Sequence, residues 1–371
     1  MLKSVIMKRE PSLISRKDFL KLSALTLGGV ALAPLEKSTF TRLFKLPEFP
    51  EGERLGRVCY GKWDLKARPD HNSRTVGTVM DDDVLPWIKE ATGTFSIYRN
   101  NKRWVETPLG YIWSAYFQPV RNRPNQPLLE LPQTSIGSGM WVEVTVPYVD
   151  AIMINPPPRH LFFLDRYEKT LPLRFYYSQI LWVDQVRTDA DGTVFYRVNE
   201  KYGNLGDLYW ADARAFRPLT DEELAPINPD VEEKRIVVDI AYKRQYMSCY
   251  EGNTEVYFCR ISSGIADGST PLGSFAVYRK LISLHMSGGT AVAGWDTGGV
   301  GWTCLFTGQG VAIHSTYWHN NFGEPESNGC VNVAPHDAKW IFRWANPQVR
   351  YDPGDLTVTD FSGTRVLVKE S

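Results

Sequence analysis

The residues best suited to do chemistry are His314 and Cys330. A thiol beside an imidazole can become a thiolate–imidazolium pair, the usual activated sulfur nucleophile. His314 closes an apolar run, Ala312-Ile313-His314-Ser315, that reads as the end of a strand. Cys330 follows Gly329 just ahead of a helix expected from Pro335. Gly329 permits a tight turn, so N–H groups near Cys330 could face a developing oxyanion. From the residues alone, a lone Cys near a lone His is more often a buried structural pair, and both readings stand at this point. His319 reads either as pocket wall or as loop support, and His336, in the first turn of the helix, reads as surface. No spacing of His, Cys and Asp suggests a metal site. Gly288-Gly289 and Gly298-Gly299 lack the following Lys-Ser/Thr of a phosphate loop, so no cofactor is expected.

These groups must be positioned by a largely β chain. At 371 residues and 42.2 kDa, two or three domains are expected. Aromatic residues at 13%, with 24 Pro and 29 Gly, point to strands and turns rather than a helical bundle. Lys plus Arg equals Asp plus Glu at 42 each, so nothing electrostatic suggests nucleic acid. The balance hides an asymmetry. Residues 1–33 carry six cations against Glu10 and Asp18, and Leu22–Ala33 is a short apolar run ending Ala31-Leu32-Ala33. That reads as an export signal, followed by a linker at 34–54. Ser15-Arg16-Lys17-Asp18-Phe19-Leu20-Lys21 resembles a twin-arginine signal with Lys in the second place, so either export route fits. A location outside the cytoplasmic membrane follows, in periplasm or cell wall, with anchoring by an uncleaved signal also consistent.

Thr94–Tyr98 and Arg103–Trp113 read as strands, and Asn122–Gln133 reads as a linker. Tyr176–Val186, the turn Asp189–Gly192 and Phe195–Val198 read as a hairpin. Both 55–121 and 140–222 end in an aromatic, a small residue and a last strand near a Pro, and both resemble small SH3-type barrels of the bacterial cell-wall kind. Thr220 with Glu223 marks a short capped helix. Strands are expected at Arg235–Ile240, Gln245–Tyr250, Val256–Ile261 and Thr364–Lys369, and a helix over Ala334–Trp344.

His314, twelve residues, then Ser327-Asn328-Gly329-Cys330-Val331-Asn332 resembles the signature of the L,D-transpeptidase (YkuD-type) catalytic domain. Ser263-Gly264, Thr270-Pro271-Leu272-Gly273-Ser274-Phe275 and Met286 fall where that family has matching positions, and the likeness covers about 235–370. It implies a mainly β protein: two small SH3-like barrels, then a β-sandwich-like L,D-transpeptidase domain with one or two short helices. It implies Cys330 as nucleophile, His314 as base, Ser315 orienting the imidazole through its carbonyl, and Gly329 with the Cys330 amide at the oxyanion. Trp302 would be a lid aromatic, and Met286, His319, Ser327, Asn328 and Asn332 would line or hold the substrate pocket. The partners implied are peptidoglycan stem peptides and the cell wall, with the protein a monomer. One position departs from the family: Asn328 stands where a second His is usual, and an amide can donate a hydrogen bond but cannot carry a proton. That departure keeps a wall-binding protein with lost catalysis as an alternative, and transfer to water instead of an amine keeps an L,D-carboxypeptidase as another. Of the five cysteines, Cys59, Cys249, Cys259 and Cys304 read as small hydrophobes rather than a disulfide set.

Overall fold

Burial alternates along several strands, among them Tyr148–Met153, Lys234–Asp239 and Arg365–Lys369. In Arg365–Lys369, Val366 and Val368 point into the core while Leu367 is exposed between them. The computed structural model describes residues 45–95, 99–202, 206–242, 244–288 and 295–371. The expected export signal and residues 34–44 of the expected 34–54 linker lie outside those residues. Among the described residues no helix is long and apolar enough to cross a membrane.

The first module, 55–120, pairs its first strand Leu55–Val58 with its last, Phe117–Val120, and adds a five-stranded sheet that includes Lys62–Lys66 and Arg103–Thr107. Val58, Leu65, Val79, Trp87, Val105, Ile112 and Phe117 fill it. The run read as one strand at Arg103–Trp113 is a hairpin, Arg103–Thr107 against Gly110–Trp113, because Pro108 cannot continue the ladder. Thr94 makes only an isolated bridge with Asp70, and 96–98 lie outside the described residues.

The second module is a seven-stranded sheet whose first and last strands, Met140–Val144 and Phe216–Pro218, again pair. In both modules a single 3-10 turn, Ser114–Tyr116 or Ala213–Ala215, precedes the closing strand. The expected hairpin is present, with Ile180–Thr188 against Val194–Asn199 and Gly192 N–H donating to Asp189 at 3.0 Å. A helix at Leu161–Glu168 was not expected from the sequence. Part of the 34–54 stretch is not a free tether: Leu46 N–H donates to Asp212 at 3.0 Å, and Phe49 packs edge-on to Tyr148.

The third unit places two five-stranded sheets around one core. One runs Thr254–Arg260, Tyr246–Glu251, Lys234–Asp239, Arg365–Lys369, Gly273–Ala276; the other runs Val331–Val333, Ala312–Ser315, Trp295–Leu305, Arg279–Gly288, Asp355–Thr357. The helix Pro335–Trp344 lays Ala338, Ile341 and Phe342 on that core. Carbonyls at and just beyond its C-terminus converge on a fully buried lysine: Lys280 Nζ donates to Phe342, to Ala345 at 2.6 Å and to Pro347 at 2.7 Å. Those acceptors and the negative end of the helix offset the cost of burying the ammonium. Burial still lowers its pKa to about 8. Cys249, Cys259 and Cys304 are buried and unbridged, as small hydrophobes would be.

Candidate active site

Two short parallel strands carry the candidate pair. Ala312–Ser315 lies beside Val331–Val333 with Ile313 opposite Val331 and His314 opposite Asn332. Extending that register by one residue sets Cys330 level with Ala312. Side chains alternate faces along a strand, so Ala312, His314, Cys330 and Asn332 share a face. Strand spacing and rise then put the His314 and Cys330 β-carbons about 8 Å apart on the diagonal, a gap the two side chains can close by reaching toward each other.

His314 is buried, and its Nδ1 lies 2.9 Å from the Ser315 carbonyl. A carbonyl only accepts, so the proton sits on Nδ1 and the Nε2 lone pair is left as the basic site. Burial lowers the His314 pKa to about 4, and burial pushes the Cys330 thiol up to about 11. Both groups are therefore neutral at rest. The Cys330 thiol contacts the Gly310 carbonyl at 3.8 Å. Met286 packs in the cluster that Cys330 and Trp318 flank, and the Trp318 ring centre lies 5.8 Å from that of His314.

The turn before Cys330 is tied from both sides. Ser327 Oγ donates to the Cys330 carbonyl at 2.6 Å and accepts from Gly329 N–H at 3.0 Å. Thr270 Oγ1 donates to the Gly329 carbonyl at 2.7 Å and accepts from Gly264 N–H at 2.9 Å. Gly329 has φ +140°, and a β-carbon there would sit 2.7 Å from the Ser269 carbonyl oxygen. Gly329→Ala is therefore expected to cost about 1–3 kcal/mol and to disturb the Cys330 turn, which urea unfolding alongside an acylation assay would register.

Several expected site residues have other work. The Gly329 amide is spent on Ser327, which removes it from the oxyanion donors, and the Ser327 hydroxyl is committed within the turn rather than to a ligand. Trp302 is no lid: it is 1% exposed, in the left-handed backbone region at φ 58°, and packs edge-on to Phe342 of the helix. His319 is buried, not pocket wall. Its Nδ1 accepts from Asn321 N–H at 3.1 Å, which leaves the proton on Nε2. The Asn332 side-chain amide lies 2.9 Å from that nitrogen, and proton balance turns the Asn332 oxygen toward it. Burial lowers the His319 pKa to about 3, so it stays neutral. Asn332 also pairs with Ser262 through both backbone groups, at 2.8 and 2.9 Å, and so braces the loop. Asn328 is exposed at the turn, and His336 is exposed beside Asp337.

The residues that sequence reasoning missed hold the 317–326 insert from a distance. Arg57 of the first module donates to the Tyr317 carbonyl at 2.9 Å, and Gln179 of the second donates to Tyr317 Oη at 2.9 Å. Asn320 N–H donates to the Ala115 carbonyl at 2.6 Å, Asn101 Nδ2 donates to Asn321 Oδ1 at 2.8 Å, and Tyr116 Oη donates to Glu326 at 3.0 Å. A cleft of about 670 Å³ opens along this seam between Asn101 and the strands bearing Tyr246, Tyr250 and Phe258. Cys330 does not line it.

Residues 233–368 match the YkuD family, described as the L,D-transpeptidase catalytic domain. This stretch of the chain is a YkuD domain. The chain is also 26% identical over 127 residues to YciB of Bacillus subtilis strain 168, a protein assigned to the L,D-transpeptidases. That match covers 31% of this chain and 63% of YciB. Among solved structures, an Enterococcus faecium L,D-transpeptidase is 25% identical, over 38% of this chain and 51% of that one, with a TM-score of 0.30. An L,D-transpeptidase from Mycobacterium smegmatis is 18% identical, over 65% of this chain and 99% of that one, also with a TM-score of 0.30. The chain thus spans less than two thirds of YciB and about half of the Enterococcus protein.

Proposed function

We propose that the chain is a cysteine-dependent L,D-transpeptidase acting on peptidoglycan stem peptides. Cys330 Sγ attacks the carbonyl of the L-centred diamino acid in a tetrapeptide stem, and His314 Nε2 takes the thiol proton. The terminal D-residue leaves as an amine with that proton, and a thioester remains. An amine of a second stem then attacks the thioester, gives a proton back through His314, and releases Cys330 with a 3→3 cross-link formed. With Gly329 N–H engaged by Ser327, the Cys330 amide is the turn's candidate oxyanion donor. The observation that carries the reading is the placement of His314, its Nδ1 held by the Ser315 carbonyl, on the strand beside Cys330 inside the YkuD domain. Export, with the 1–33 segment as signal, belongs to the same proposal, as does an SH3-like identity for the two front modules.

Purified protein incubated with tetrapeptide stems tests this reading. Mass-resolved dimers linked without the terminal D-residue are expected. Shortened stems with no dimers would make the chain an L,D-carboxypeptidase, which shares the first half-reaction. Intact stems with retained wall binding would favour a wall-binding protein, the reading that Asn328 keeps in view. Asn328→His is expected to leave turnover equal or higher, since Asn328 is exposed and the proton is handled by His314. A collapse of turnover on that change would give Asn328 a fitted role of its own.

A further inference from the structure

A second cluster of reactive groups lies where the second module meets the YkuD domain. His160 stands at the start of the helix Leu161–Glu168, while His285 and Asp296 come from the antiparallel strands Arg279–Gly288 and Trp295–Leu305. All three side chains are buried, and their ligand atoms lie within 4.8 Å of one another. Because His160 and Asp296 are so far apart in sequence, no motif spacing could announce the group.

We propose that His160 Nδ1, His285 Nε2 and Asp296 Oδ1 bind one divalent transition-metal ion, zinc by preference, across the seam between the two units. Three features support it beyond proximity. His160 Nδ1 is buried with no hydrogen-bond partner, yet it points at Asp296 Oδ1 from 3.3 Å. The surroundings orient each ligand. Asp207 Oδ2 accepts from the His160 backbone N–H at 3.2 Å, which fixes the chain there, and Asp296 Oδ2 accepts from the Leu161 backbone N–H at 2.9 Å, with Oδ1 turned toward the two histidines. Glu200 sits on His285 Nδ1, the carboxylate–histidine arrangement that fixes the ring with Nε2 as the ligand nitrogen. Third, two imidazoles and a carboxylate are a borderline-soft donor set that suits zinc, with a fourth position for water. Binding displaces the proton that His285 Nε2 and Asp296 otherwise share, and that proton leaves to solvent. The ion would lock the Arg279–Leu305 hairpin, which also bears Met286, onto the second module.

The experiment uses the full chain stripped with chelator, then titrated with zinc or cobalt. One zinc per chain is expected, with a raised melting temperature and, for cobalt, visible ligand-field absorption of a low-coordinate site. His160→Ala is expected to weaken zinc more than about 100-fold, and Glu200→Gln about 10–100-fold. Melting that ignores zinc and chelator, with no cobalt spectrum in the wild type, would overturn the proposal and leave the cluster as an ion-pair clamp. Equal zinc affinity in a folded His160→Ala would overturn it as well. If that variant does not fold, the wild-type cobalt spectrum and stoichiometry decide alone.

Discussion

His314→Gln is expected to slow acylation of Cys330 by about 10²–10⁴-fold, the usual worth of a positioned base, while the protein stays folded. The Gln side chain can fill much of the space but cannot take a proton. The sign of the pH dependence follows from the two burial effects. His314 is lowered to about 4, so the base is lost only as pH falls through that value. Cys330 is raised to about 11, so the thiol ionises only above neutral pH by a wide margin. Between those limits both groups are neutral, and the proton moves during attack rather than before it. The wild-type acylation rate should therefore be level across neutral pH, with an acid limb that disappears in His314→Gln. Stopped-flow acylation by a carbapenem measures both. A wild-type limb near the ordinary histidine value of about 6.5 would contradict a neutral resting pair. Direct alkylation by iodoacetamide should be slow for the same reason, since it depends on the thiolate.

Arg57→Met is expected to lower stability by about 3 kcal/mol and to slow acylation by up to about 100-fold, the cost of a site displaced by around an ångström. Arg57 is 2% exposed and joins three units at one point. Its guanidinium meets Asp82 at 3.2 Å, Gln118 at 2.9 Å and the Tyr317 carbonyl at 2.9 Å, and it lies over the Tyr176 ring. Methionine would keep much of the bulk and lose every donor. Asp82 would retain Arg174 at 2.8 Å, which keeps the loss at the lower end for a broken buried pair. The Tyr317 carbonyl would lose its anchor at the head of the insert between His314 and Cys330. Urea unfolding and carbapenem acylation, measured together, separate two roles for the first module. Lower stability with unchanged acylation would reduce that module to a spacer. Both falling together would make it part of the machinery that holds the catalytic loop.

The parts of the site that could be read in advance are local. His314, Ser315 and the turn Ser327–Cys330 lie within strands and a tight loop whose residues announce themselves, as do the hairpin at Asp189–Gly192 and the Thr220 cap. The helix Leu161–Glu168 was hidden because it is short and follows the turn-like Asn155-Pro156-Pro157-Pro158, which argues for loop. Trp302 misled because its backbone takes a left-handed angle that turns the ring into the core, a conformation no local pattern foretells. The Gly329 amide looked free until its partner two residues back was visible. The grip of Arg57 on Tyr317 spans 260 residues of sequence, and the His160–Asp296 approach is likewise set only by how the modules dock. Such contacts come from packing between domains, and alternation along one strand carries no trace of them.

The central claim is that Cys330 Sγ is the atom that forms the acyl-enzyme. Intact mass of the protein after incubation with a carbapenem tests it most directly. The account predicts a single covalent adduct on the wild type, mapped to the peptide bearing Cys330 and absent from Cys330→Ala, with Cys59, Cys249, Cys259 and Cys304 unmodified. An adduct that persists in a folded Cys330→Ala, or a wild type that stays unmodified while folded and still binding wall, would contradict it.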